Sequence, residues 1–378
     1  MEYIGYGNNG QSLKDKILGI SFTYILLIVI LAGIGTMTLY SAANGSWEPW
    51  AGKHLMRFGF ALTLMIFMAL IDARQYYKWA YVFYLVSMML LIAVEVFGHI
   101  GMGAQRWINF GLFKVQPSEL MKIGIVLFLA RYFNAMTIQG IRTFRGLIIP
   151  ALLTLFPVAF IAMEPDLGTA LMVLITATVM VFVAGVQWWK FALVGTIGGG
   201  SLPIIWNFLH EYQKNRVLTF LDPERDPLGT GYHIIQSKIA FGSGGVFGKG
   251  FLHGTQTHLN FLPEKHTDFI FTMFSEEFGM LGSLTVLALN LLVIALGYLF
   301  AFRTHNYFAK LTIIGLNTNY FLYVFINISM VMGLLPVVGV PLPLISYGGT
   351  VMFSIMASFG IILCMSINKS KMSFDDNR

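Results

Sequence analysis

Ten apolar runs dominate the chain, at residues 17–41, 55–71, 79–97, 118–133, 147–163, 168–186, 191–209, 278–302, 311–335 and 350–367. Each approaches the ~20 residues that carry an α-helix across a ~30 Å hydrocarbon layer. Backbone in lipid must satisfy its own hydrogen bonds, so each run predicts a membrane-spanning helix. The expected fold is an all-α polytopic integral membrane protein of about ten transmembrane helices, forming a single membrane domain over residues 1–378. An even number of crossings puts both termini on one side. The first run follows Lys14 and Lys16, is too long for a signal-peptide core and lacks a small-residue cleavage site, which predicts a retained anchor.

Composition excludes a water-soluble globular enzyme: 56% of the 378 residues are hydrophobic, 11% are charged, and the mean hydropathy is +0.71. The only cysteine, Cys364, lies in an apolar run, so an intrachain disulfide is excluded. The net charge of +6 sets an orientation. With the N-terminus inside, the inner segments collect 13 of the 24 Lys and Arg but only five of the 18 Asp and Glu, as retention of positive loops in the cytoplasm requires. Both termini are then cytoplasmic, and the remaining acids lie outside or in the outer membrane half, where the chemistry is expected. The basic inner loops read as topology signals and contacts with anionic membrane lipids, and no nucleic acid is an expected partner.

Two outer segments exceed short connections, residues 98–117 and the large loop 210–267. The second has 58 residues, far beyond the ~12–15 typical of structureless connections, so it is expected to fold back on the helices and carry a site. No short-period repeat is present, and the halves of the chain show no inverted repeat of the transporter kind. The run FGSGGVFGKG lacks the Ser or Thr after Lys249 that a phosphate-binding loop needs. Its glycines suit a surface turn, or close approach of backbone to the membrane surface or a ligand. The eight histidines form no H-x-x-x-H pair, and the acids of DPERDP read as solvated turn residues.

Charges adjoining apolar helices are the informative ones, because an ionised group in hydrocarbon costs several kcal/mol unless it is paired or faces water. Glu119 and Lys122 follow Gln116 three residues apart at the start of the fourth helix, so both project from one face and can pair. A structural salt bridge and a polar ligand pocket are both compatible with them. Asp166 begins the sixth helix, where the dipole favours a carboxylate cap. Where the large loop ends, Thr267 is placed to cap a helix starting at Asp268. That start would put Asp268, Thr272 and Glu276 on one inward face. A carboxylate at this boundary can take a proton from a hydroxyl whose other end is anchored in lipid.

The runs GAQRWI, QPSELMK, EPDLGTA, LPEKHTDFIF and PLPLISYGG together resemble the SEDS family of bacterial cell-wall synthases, most closely its elongation branch. The resemblance spans Gly103 to the end of the tenth helix. It implies a peptidoglycan glycosyltransferase that polymerises lipid II into β-1,4 glycan strands with inversion and release of polyprenyl pyrophosphate. Asp268 stands at the family's catalytic acidic position. The leaving group requires cations, for which Arg106, Lys114, Lys122, Arg216, Lys249 and Lys265 are candidates, Arg106 and Lys122 first. Trp107, Gln116, Glu119, Asp166, His266 and Glu276 complete the expected substrate-binding set. No metal cage is evident, and a divalent cation, magnesium or manganese, is an option raised only by pyrophosphate chemistry.

The implied location is the bacterial plasma (inner) membrane, with the active site extracytoplasmic. Implied partners are a class B penicillin-binding protein, a transpeptidase whose single membrane helix packs near the eighth and ninth helices, and other elongation-complex membrane proteins. Two other functions remain open: a flippase or transporter of lipid-linked precursor, with Glu119, Lys122 and Asp268 lining a headgroup path, and a non-catalytic scaffold of the elongation complex.

Overall fold

The computed structural model describes residues 13–97, 99–101, 104–109, 111, 114–208, 211–226, 229–255 and 266–367. All ten apolar runs fall on helices. The first is shared by α1 (Leu13–Gly19) and α2 (Phe22–Ala42), which separate where Ser21 caps α2 by accepting from the Tyr24 amide at 3.4 Å. Then come α3 (Ala51–Leu70), α4 (Ala73–Phe97), α5 (Pro117–Asn134), the short α6 (Ile138–Ile141), α7 (Arg145–Met163), α8 (Leu167–Val183) and α9 (Trp188–Phe208). Among the described residues, seven helices are long and apolar enough to cross a membrane: α2, α3, α4, α7 and the last three of the chain. Of the other runs, α5 carries Glu119, Lys122 and Arg131, and α8 is shorter, with 17 residues.

The segment 98–117, read from sequence only as a long connection, contains three short antiparallel strands, β1 (His99–Gly101), β2 (Ala104–Asn109) and β3 (Lys114–Val115). Ile108 pairs with Val115 and Asn109 with Lys114, so the sheet leads straight into Pro117, the first residue of α5. Up to Ser243 the large loop is mostly helical where it is described, and a turn follows it. The loop contains α10 (Glu211–Leu221), a 3-10 turn at Pro223–Arg225 beside which Asp222 and within which Glu224 are exposed, and α11 (Thr230–Ser243).

The final three helices are α12 (Ile270–Arg303), α13 (Tyr307–Val331) and α14 (Gly349–Ile367). The core lies along α13, which is almost wholly buried between α5, α8, α12 and α14, while α14 packs on α3. Buried Asn290, Tyr320, Tyr323 and Asn327 lie within this packing, so the helix centre is polar as well as apolar. Irregular chain from 332 to 348 joins α13 to α14 and folds over the α3 end nearest the sheet.

Candidate functional site

Asp268 lies in a turn ahead of its helix. The expected start at Asp268 is wrong by two residues: Phe269 is the N-cap, with no side-chain cap, and α12 begins at Ile270. Thr267 is therefore not the N-cap residue, and Asp268, Thr272 and Glu276 do not form one helical row. The turn is fixed from two sides. The Tyr347 amide donates to the His266 carbonyl at 2.9 Å, and the Asn327 side-chain amide donates to the Asp268 carbonyl, also at 2.9 Å. The half-buried Asp268 carboxylate faces the bare backbone of Gly339, where a methyl group would sit 3.5 Å from Oδ2. His266 stacks on Trp50 with ring centroids 4.6 Å apart and lies 6.1 Å from Tyr347.

Beyond Tyr347 opens a cavity of about 1240 Å³ between α3, α4, α5 and α14. Its walls are Phe60, Leu64, Met68, Phe83, Ile123, Leu127 and Phe353, and it reaches from Trp107, Lys114 and Gln116 at the sheet end to Gln75, Tyr76 and Trp79 at the other. Arg57 stands at the sheet end of this groove, its guanidinium 4.6 Å from the Tyr347 ring centroid. Among the described residues no carboxylate pairs with it. Sequence reasoning missed Arg57. The signal was available, since it is a lone cation within an apolar run close to the membrane boundary.

The two foremost cation candidates are already engaged. Lys122 Nζ lies 2.6 Å from Glu119 Oε1 and donates to Tyr323 Oη, whose hydroxyl donates to the Glu119 carboxylate at 2.6 and 2.7 Å. Ser354 Oγ completes the group at 2.6 Å, so one buried cluster ties α5, α13 and α14 together. Of its members, Glu119 and Ser354 reach the groove wall. Arg106 Nε donates to the Glu164 carbonyl at 2.9 Å and its terminal nitrogen to that of Pro165, so β2 is bound to the α7–α8 turn. In that turn Asp166 caps α8 as its position predicts, accepting from the Thr169 amide at 3.2 Å and from the Gln116 side chain at 3.3 Å. Glu164 is buried, and among the described residues neither of its carboxyl oxygens has a hydrogen-bond partner. Burial chiefly, with Asp166 and Glu95 nearby, pushes its carboxyl up from 4.5 to about 8 against the pull of Arg106.

The glycine run forms a turn, one of the two readings its sequence allows, and its backbone closely approaches another helix. α12 is broken at Gly279 (φ 65, ψ −161), and the turn at 244–250 fills the break. Lys249 and Gly250 amides donate to the Glu276 and Glu277 carbonyls, both at 3.0 Å, and the Met280 amide donates to Gly245 at 2.9 Å. A methyl group on Gly248 (φ 80) would lie 2.1 Å from the Glu277 carbonyl oxygen, which is why only glycine fits. Lys249 Nζ then meets the fully buried Glu276 at 2.6 Å, with Thr255 Oγ1 at 3.0 Å. Thr272 is buried against Ser237 of α11 at 2.8 Å. Arg216 lies on α10, away from these clusters in sequence, and Lys265 lies outside the described residues. Among the described residues no three His, Cys, Asp or Glu side chains converge as a metal cage.

The family model FtsW/RodA/SpoVE, a cell cycle protein family, matches residues 16–371. The chain belongs to that family. The peptidoglycan glycosyltransferase MrdB of Escherichia coli is 42% identical over 369 residues, covering 97% of this chain and 98% of its own. A solved chain from a peptidoglycan synthase complex that coordinates polymerization and crosslinking superposes with a TM-score of 0.80 at 32% identity, covering 93% of this chain and 99% of that one. The crystal structure of Thermus thermophilus RodA, a rod shape determining protein, superposes with a TM-score of 0.70 at 27% identity over 93% and 97% of the two chains. With the seven apolar helices, this membership makes the chain a multi-pass membrane protein.

Proposed function

We propose that this chain, a peptidoglycan glycosyltransferase of the elongation branch, polymerises lipid II on the extracytoplasmic face of the bacterial inner membrane. The observation that carries the reading is a chain of contacts: the turn bearing Asp268 is bonded through the His266 carbonyl to the Tyr347 amide, and Arg57, at the rim of a long apolar groove, lies over the Tyr347 ring. A polyprenyl chain has the length and polarity to occupy such a groove, with its pyrophosphate at Arg57 and its sugars above the membrane. Asp268 Oδ takes the proton from the 4-hydroxyl of one lipid-linked disaccharide as that oxygen attacks the anomeric carbon of another. The bond from that carbon to the pyrophosphate oxygen breaks, the configuration inverts, and polyprenyl pyrophosphate leaves with the negative charge. A guanidinium that no carboxylate among the described residues holds is suited to receive it.

In this reading Arg106, Glu119 and Lys122 shape the site through the partners that hold them, while Trp107, Lys114 and Gln116 contact headgroup or sugar from the groove wall. Asp166, His266, Lys249 and Glu276 act from the structures bordering the Asp268 turn, and Arg216 and Lys265 bind from the large loop. A magnesium or manganese ion would arrive with the pyrophosphate. All ten helical runs cross the bilayer, with both termini cytoplasmic. The partner is a class B penicillin-binding protein whose membrane helix lies against α12 and α13, where Leu284, Leu291, Phe321 and Phe325 are exposed.

The length of the groove also favours a second reading, movement of a lipid-linked precursor between leaflets. The test supplies lipid II to the chain purified with its transpeptidase partner and, separately, labelled lipid II to vesicles containing the chain. Glycan polymer made by the parent and lost in Asp268→Ala supports the polymerase. Transfer across vesicles with no polymer from either protein supports the flippase.

A further inference from the structure

Asn327 is buried near the C-terminal end of α13, yet its side chain is spent on backbone outside that helix. Its Nδ2 donates to the carbonyl oxygens of Asp268 at 2.9 Å and of Val340 at 2.7 Å. Both acceptors are carbonyls, so the nitrogen must face them, and its two hydrogens are both used. The Val340 carbonyl follows Gly339, whose backbone (φ 73) lies against the Asp268 carboxylate. One amide therefore joins the turn that bears the carboxylate to the irregular segment that carboxylate rests on. Without it, both carbonyls would lose this shared donor.

We propose that Asn327 is a positioning residue for the reaction, fixing the Asp268 carboxylate against Gly339 so that its oxygen points to the acceptor hydroxyl. This rests on Asp268 being the base. Asn327 acts through the Asp268 turn and not on the reacting atoms: its amide nitrogen is committed to main chain and its oxygen is buried. Its effect is geometric: a displacement of ~1 Å in a proton acceptor costs about 100-fold in rate while leaving the bound headgroup in place. A residue needed only for stability would instead lower yield, and any loss of activity would follow the loss of folded protein.

The experiment measures kcat and KM for lipid II, with thermal midpoint and partner co-purification, for the full chain with its transpeptidase partner. Asn327→Ala deletes the amide, and Asn327→Asp keeps its size but turns the donor into an acceptor. Gly339→Ala, an independent variant, places a methyl group beside the carboxylate at a positive φ. Asn317→Ala, on the same helix and bonded to the Ile294 carbonyl, serves as the structural control. The expected result is a fall in kcat of about 100-fold in Asn327→Ala and Asn327→Asp at unchanged KM. Gly339→Ala should fall in the same parameter, and Asn317→Ala should keep parental kcat per folded molecule. Parental kcat in folded Asn327→Ala overturns the proposal, as does a loss matched by Asn317→Ala. If the Asn327 variants do not fold, parental kcat in Gly339→Ala overturns it. Asp268→Asn is run beside them: if that variant polymerises normally, the base reading has failed, whereas its inactivity beside a fully active Asn327→Ala defeats the positioning role alone.

Discussion

Glu119 and Lys122 are 2.6 Å apart in the interior of the bundle, and Tyr323 and Ser354 satisfy the remaining carboxylate oxygen. An ion pair removed from solvent holds little net stabilisation, but breaking it leaves a charge with no partner, at ~3–5 kcal/mol. Glu119→Ala is therefore expected to lower the thermal midpoint and yield sharply. Changing both residues, to Glu119→Leu with Lys122→Met, should restore most of the stability. Size-exclusion profiles of the detergent-solubilised variants check this. A folded, stable Glu119→Ala that only loses substrate binding would make the cluster a ligand pocket instead.

Arg57 is expected to act on the anionic group of the substrate. Arg57→Gln should reduce kcat/KM by roughly 10- to 100-fold, the worth of a charge-assisted contact of ~1.5–3 kcal/mol. Polyprenyl pyrophosphate should inhibit the parent better than it inhibits Arg57→Gln, whereas the neutral polyprenol should not distinguish them. Equal inhibition by the pyrophosphate would remove Arg57 from the site.

Glu164 makes stability depend on pH. Its carboxyl ionises near 4.5 in the unfolded chain but only at about 8 in the fold, because burial opposes the charge. Below 4.5 both states hold the proton and nothing is lost. As pH rises from 4.5 to about 8, the unfolded state is increasingly favoured by ionising first. The thermal midpoint should therefore fall across that window, and Glu164→Gln should flatten this part of the profile and raise the midpoint at its upper end. An unchanged slope in the variant would assign the pH dependence to other groups.

The glycine turn that fills the break in α12 has no room for a side chain at Gly248. Gly248→Ala should weaken the amide contacts to Glu276 and Glu277. Hydrogen exchange should then speed up across 244–250 and 276–281 while the inner half of α12 stays protected. Unaltered exchange in both segments would contradict the role given to the turn.

The helices were legible because hydropathy measures the quantity that places them, the transfer of side chains into lipid. Asp166 was legible as a cap because that contact is local, three residues from its partner. What stayed hidden depends on distant pairing. Hydropathy cannot reveal a break at Gly279 repaired by amides from a turn some thirty residues earlier, nor a helix start displaced to Ile270 because Asn327 and Tyr347 hold the preceding turn. Lys122 and Arg106 were recognisable as unusual cations. Only the fold shows that their hydrogen bonds are already committed while Arg57 keeps its face to the groove.

The central claim is that the Asp268 carboxylate removes the acceptor proton. The most direct measurement compares lipid II binding and glycan synthesis in the parent and in Asp268→Asn, which keeps size and removes the charge. The account predicts equal binding of lipid II with polymer lost in the variant; glycan made by Asp268→Asn at the parental rate would contradict it.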